Sequence, residues 1–162
     1  MSESQTIVGI DPGLTGAIVE LTPKGNILSK HVMPTVDKKL LDLKQLRVIL
    51  SLYKNSMVYL EKVHSMPKQG VASSFKFGRV FGVLEGMLAA LQIPYKLVTP
   101  QRWQKKMHEG IEREIGPKER SLMAVTRLYP NEDLRATERS KTPHKGLVDA
   151  LLIARYGLEE VE

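Results

Sequence analysis

Short β-branched runs open the chain, and helical spacing takes over after residue 42. Residues 5–11 read as a strand through Thr6-Ile7-Val8-Gly9-Ile10-Asp11, closed by a Pro12-Gly13 turn. Residues 16–21 and 26–33 read as two further strands, with Thr22-Pro23-Lys24-Gly25 as the hairpin turn between them. The opening is therefore an antiparallel meander. Over residues 42–53, apolar Leu43, Leu46, Ile49, Leu50 and Tyr53 recur at helical spacing. Residues 57–63 bunch Met57, Val58, Tyr59 and Leu60 as in a strand buried on both faces and paired in parallel. Residues 67–74 read as a loop. Residues 75–91 read as a helix carrying Gly78, Gly82 and Gly86 in a row that lets another backbone come close, and helix packing is the expected reason. A fifth strand covers 93–98. Thr99-Pro100 then offers a capping hydroxyl before a proline in the first helical position, and a short helix follows through Met107. Residues 108–117 read as a charged loop, and 118–129 and 145–156 as the last helices. The pattern predicts an α/β domain: a mixed five-stranded sheet, meander first and parallel strands after, flanked by helices.

At 162 residues the chain is expected to form one domain. A hydrophobic fraction of 42% argues against disorder, and no apolar run reaches the ~20 residues that span a bilayer. The first residues lack the layout of a signal peptide. The absence of cysteine removes disulfides, thiolate metal sites and cysteine nucleophiles, and fits a reducing cytoplasm. The net charge of +6 is unevenly placed. Residues 1–61 hold seven Lys/Arg against six Asp/Glu, whereas 62–79 hold Lys62, Lys68, Lys76 and Arg79 with no acid, and 96–145 hold twelve basic against seven acidic residues. Such an excess suits a one-sided phosphate footprint, although a solvated basic surface gives the same count.

Three acids stand in apolar segments. Asp11 ends the first strand, Glu61 follows Met57 to Leu60, and Asp149 lies in Gly146-Leu147-Val148-Asp149-Ala150-Leu151-Leu152. Each has a plain structural reading: a turn starter, a strand-end partner of Lys62 or another cation, and an acid favoured near a helix start. Together they predict an oxygen-rich site at one sheet edge, suited to Mg²⁺ or Mn²⁺. Phosphodiester hydrolysis needs an activated water and a stabilised leaving oxygen, which two such ions supply together. Asp11 is the candidate to touch both, with Glu61 and Asp149 holding one ion each.

On these residues the chain resembles the RuvC-like Holliday-junction resolvases, in particular their phage branch. Gly9-Ile10-Asp11-Pro12-Gly13-Leu14-Thr15-Gly16, Val58-Tyr59-Leu60-Glu61-Lys62-Val63 and Asp149-Ala150-Leu151-Leu152-Ile153-Ala154 carry the likeness. Thr99-Pro100-Gln101-Arg102-Trp103, Lys105-Lys106 and Gly116-Pro117-Lys118-Glu119-Arg120-Ser121 follow in similar order. The resemblance implies an RNase H-like fold and a homodimeric, Mg²⁺- or Mn²⁺-dependent endonuclease for four-way and other branched DNA, with two ions per site. The glycine row is a reasonable interface, since paired cuts in a two-fold junction suit an isologous dimer. The chain departs from the family where an acid or histidine normally precedes the last aspartate. Lys145 and Gly146 stand there, with His144 the nearest alternative ligand or general base.

The likeness also implies a lysine that stabilises transition-state charge, with Lys118 the first choice and Lys105 or Lys106 the second. Candidate DNA contacts are Lys62, Lys68, Phe75, Lys76, Arg79, Arg102, Lys105, Lys106, Lys118 and Lys145. Phe75 is expected to be the more exposed of the two phenylalanines near the branch-point loop, able to stack on or wedge between bases, and Phe77 to be core. Trp103 is expected to pack its helix onto the sheet. Alternatives are a nuclease for RNA–DNA hybrids or flaps, or a non-catalytic junction binder motivated by Lys145. An actin-like ATPase is disfavoured because the chain is too short for a two-domain nucleotide clamp.

Overall fold

A computed structural model describes residues 5–62 and 70–161. Lys68, one of the expected DNA contacts, lies outside these. The meander forms as the pattern predicts: β1 (Ile7–Asp11), β2 (Ala17–Leu21) and β3 (Ile27–Val32) pair antiparallel in sequence. A small ribbon not foreseen from the pattern follows, β4 (Thr35–Val36) against β5 (Leu40–Leu41). Two residues at each side are too few to show a period, and the turn uses positive φ at Asp37 and Lys38, where the usual glycine signal is missing. After α1 (Leu43–Ser51), strand β6 (Met57–Glu61) pairs parallel to β1, and β7 (Tyr95–Val98) pairs parallel to β6. The main sheet has the order β3-β2-β1-β6-β7, with β1 central.

Helices cover both faces. One core joins Val8, Ile10, Ile18, Val58 and Leu60 to Leu46 and Leu50 of α1 and to Val80, Leu84 and Leu88 of α2 (Val71–Ala90). The other joins Ile7, Ala17, Val19 and Tyr59 to α3 (Pro100–Met107), α4 (Pro117–Leu128) and α5 (Lys145–Glu159). Both cores follow from the two-residue alternation of the strands: even positions of β1 and β6 face α1 and α2, odd positions face α5.

Helix α5 crosses β1 at backbone contact. A Cβ on Gly9 would collide with the Ala150 carbonyl and the Ala154 amide. Gly146 meets the turn after β1 just as closely, its notional Cβ lying 2.7 Å from the Gly16 carbonyl carbon. These two glycines fix how far α5 advances over the end of β1.

Local endings differ in detail from the pattern. Asp42 caps α1, its carboxylate accepting from the Gln45 N–H at 3.0 Å. Thr99 stands at the N-cap of α3 but its hydroxyl makes no capping bond, so Pro100 alone marks that start. Helix α2 begins at Val71, inside the segment read as loop, because Ala72-Ser73-Ser74 continue the helix without a glycine or proline to stop it. No helix among the described residues is long and apolar enough to cross a membrane.

Candidate active site

Asp11 and Glu61 end adjacent parallel strands. Ile10 pairs with Leu60, so the next step sets the two acids side by side, and strand alternation turns both toward α5. Asp149 lies just beyond the first turn of α5, which the Gly9 and Gly146 contacts hold against β1 and the turn after it. All three acids are half-buried. Burial is the first cause raising each carboxyl above its ordinary range. Asp11 is pushed well above it, with the charges of Glu61 and Asp149 adding to burial. Asp149 likewise raises Glu61. The structure thus brings the three expected acids into one electrostatic cluster. Among the described residues, no three acidic or histidine side chains already stand close enough to enclose an ion.

Two cations answer this charge. Lys145, exposed in the first turn of α5, lowers all three carboxyls, and Lys118 lowers Asp149. Gly146 cannot be the acid that the resemblance expects there, because the Thr15 carbonyl and the Gly16 backbone occupy the space. His144 is the N-cap of α5, its Nδ1 accepting from the Leu147 N–H at 3.3 Å. Burial lowers its pKa, which keeps the ring neutral and able to accept. One ring nitrogen is therefore committed to the helix.

Three residues at or next to the acids were not among the site residues expected from the sequence. The Trp103 indole Nε1–H donates to Glu61 Oε1 at 2.8 Å, so this tryptophan does more than pack. Ser121 hydrogen-bonds Asp149 and sits 3.1 Å from Nε2 of buried His108. The only sequence hint was chain order: Trp103 and Ser121 fall inside the two segments that resemble the family's basic stretches.

The expected DNA contacts divide into groups. Lys62 is exposed just past Glu61, its N–H bonded to the Val98 carbonyl at 2.7 Å. Phe75 is 71% exposed, as its position predicts, but Phe77 is 44% exposed rather than core. The buried stripe of α2 runs through Val80, Leu84 and Leu88, and Phe77 falls before it. With Lys76, Gly13 and Leu14 it lines a notch of about 160 Å³ beside the turn that follows Asp11. Arg79 is exposed on the same helix. Arg102, Lys105 and Lys106 are not gathered with the acids. They line a separate cavity of about 790 Å³ near the C-terminal end of α5, where Arg102 lies 3.9 Å from Glu160 and Lys106 3.8 Å from Glu159. Among the described residues nothing packs against the glycine row of α2: a Cβ at Gly78, Gly82 or Gly86 would meet no atom within 4 Å.

No protein-family model matches the chain, and no curated protein matches it in sequence. Solved structures do. Thermus thermophilus RuvC in complex with a Holliday junction substrate superposes with a TM-score of 0.65 at 19% identity, over 97% of this chain and 95% of that one. The yeast mitochondrial Holliday junction resolvase superposes with a TM-score of 0.60 at 15% identity, over 96% and 78%. The chain has the RNase H-like fold of RuvC, spread over nearly its whole length.

Proposed function

We propose that this protein is a structure-selective endonuclease that cleaves Holliday junctions and other branched DNA by divalent-metal-dependent phosphodiester hydrolysis. The observation that carries the reading is the convergence of Asp11, Glu61 and Asp149 at one sheet edge, each carboxyl raised by burial, Asp11 also by the charges of Glu61 and Asp149 and Glu61 also by that of Asp149. Acids so crowded, with exposed Lys145 and Lys118 as their cationic neighbours, suit added positive charge. An all-oxygen donor set suits Mg²⁺ or Mn²⁺. The side chains would close further around such ions, since they do not enclose one as they stand. Asp11, whose carboxyl feels the charge of both others, would be the acid shared by the ions. When bound, the ions supply an activated water and charge stabilisation at the leaving oxygen.

The chain's own residues do the rest. Lys145 and Lys118 sit where they can neutralise a phosphate brought to the acids, and Lys118 remains the first choice for the charge that builds on that phosphate. Lys62, exposed just past Glu61, and Lys76 and Arg79, exposed on α2, would add phosphate contacts, with Phe75 as an exposed aromatic in the first turns of that helix. Arg102, Lys105 and Lys106 would hold backbone further from the cut. Likeness in fold to a RuvC solved with a Holliday junction supports the choice of substrate. A homodimer through the unpartnered glycine face of α2 would set two sites across the junction's two-fold axis.

Synthetic four-way junctions, incubated with Mg²⁺ or Mn²⁺ and with chelator, test the reading. Nicks near the branch are expected only with metal, and Asp11→Asn abolishes them. Equal cutting by the Asn variant contradicts it. Tight junction binding with no cleavage in any divalent metal favours the non-catalytic alternative, for which Lys145 at an expected acid position is the motive.

A further inference from the structure

Helices α3 and α4 place three polar groups behind the acid cluster, on the side away from solvent. The Trp103 side chain is 1% exposed, yet its one polar atom is aimed at Glu61 Oε1, 2.8 Å away. His108 is 5% exposed and Ser121 3%. Their contact of 3.1 Å joins the end of α3 to the first turns of α4, and Ser121 reaches on to Asp149. The Trp103 and His108 rings meet edge to face, with centroids 5.9 Å apart. The two arms are thus one connected layer, touching Glu61 on one side and Asp149 on the other.

The donor pattern is self-consistent. An ionised Asp149 only accepts, so the Ser121 hydroxyl donates to it and its oxygen accepts from His108 Nε2–H. Nδ1 of that tautomer is then a bare lone pair, and it is the buried His108 atom left without a partner. Burial and the nearby Arg120 charge both favour the neutral ring that this pattern requires. Polar groups placed so deep are costly unless they are used.

We infer that Trp103 and the His108–Ser121 pair are positioning residues that aim Glu61 and Asp149 for divalent-metal binding. This rests on the metal-dependent reading above. Without the layer, two half-buried carboxylates that repel each other are free to swing apart.

The test uses the fact that Trp103 is the chain's single tryptophan. Its indole N–H gives one nuclear-resonance signal, readable without metal. The Trp103 indole is replaced by its benzothiophene isostere, which keeps shape and loses the donor. Ser121→Ala removes the hydroxyl and Ser121→Thr restores it. Mn²⁺ uptake is followed by the paramagnetic resonance of free ion, alongside thermal melting. We expect the indole signal to shift in Glu61→Gln. Mn²⁺ affinity should fall about tenfold or more in the isostere and in Ser121→Ala. Ser121→Thr should bind close to the unsubstituted chain, and the isostere should melt unchanged. An indole signal indifferent to Glu61→Gln, or Mn²⁺ affinity unchanged in the isostere, overturns the inference while leaving the nuclease reading intact. An unsubstituted chain that takes up no Mn²⁺ sinks both.

Discussion

Lys145 occupies a position at which the family resemblance expects an acid, and its charge reaches all three carboxyls. It therefore competes with bound cations while attracting phosphate. Lys145→Gln should tighten Mn²⁺ binding about fivefold, the order of one screened charge pair, and weaken junction affinity with a salt slope reduced by about one. Ion titration and junction binding at several salt concentrations check the two halves separately. Restoring an acid at the neighbouring position fails for a steric reason. Gly146→Asp forces a side chain into the Thr15 carbonyl, and chemical denaturation should show a loss of about 1–3 kcal/mol. Asp11 has the opposite sign. Its carboxyl is raised above the ordinary range, so the folded chain binds more protons than the unfolded one. The stability this represents is present at low pH and is lost as pH rises through the raised values of Asp11, Glu61 and Asp149. Asp133, held low by Arg135, slopes the other way but is exposed and contributes little. In chelator at neutral pH, Asp11→Asn should melt higher, by about 0.5–2 kcal/mol of stability, while losing cleavage.

At the scale of elements, α2 shows what pattern reading catches and misses. Its existence and its glycine row were legible, because i, i+4, i+8 spacing is visible in one chain. The environment of that row was not: spacing gives a shared face but not what covers it, and among the described residues no atom does. Phe77 was misjudged for the same reason, since it precedes the buried stripe of Val80, Leu84 and Leu88. Gly82→Leu should leave the monomer fold intact, given the open space there, and shift sedimentation from dimer to monomer if α2 is the contact between copies. Unchanged sedimentation removes α2 from the interface. Asp11 and Glu61 were legible because strand alternation and a parallel neighbour fix both face and edge. Trp103, His108 and Ser121 were not, because they reach Glu61 and Asp149 across 42, 41 and 28 residues or by way of each other, with no local period to announce it.

For the molecule as a whole, two adjacent parallel strands and one crossing helix bring three acids from distant parts of the chain to one sheet edge. The close contacts of Gly9 with α5 and of Gly146 with the turn after β1 set how α5 sits over that edge. The RNase H-like fold was legible in outline from the meander followed by alternating strands and helices. The β4–β5 ribbon was too short to read. The proposed chemistry requires Asp11, Glu61 and Asp149 to grip divalent cations jointly. The most direct measurement is anomalous diffraction from crystals soaked in Mn²⁺. Manganese is expected between these three side chains, with Asp11 in contact with it, and is expected to be lost in Asp11→Asn crystals. Manganese bound only elsewhere, or a carboxyl cluster left bare at saturating Mn²⁺, would contradict it.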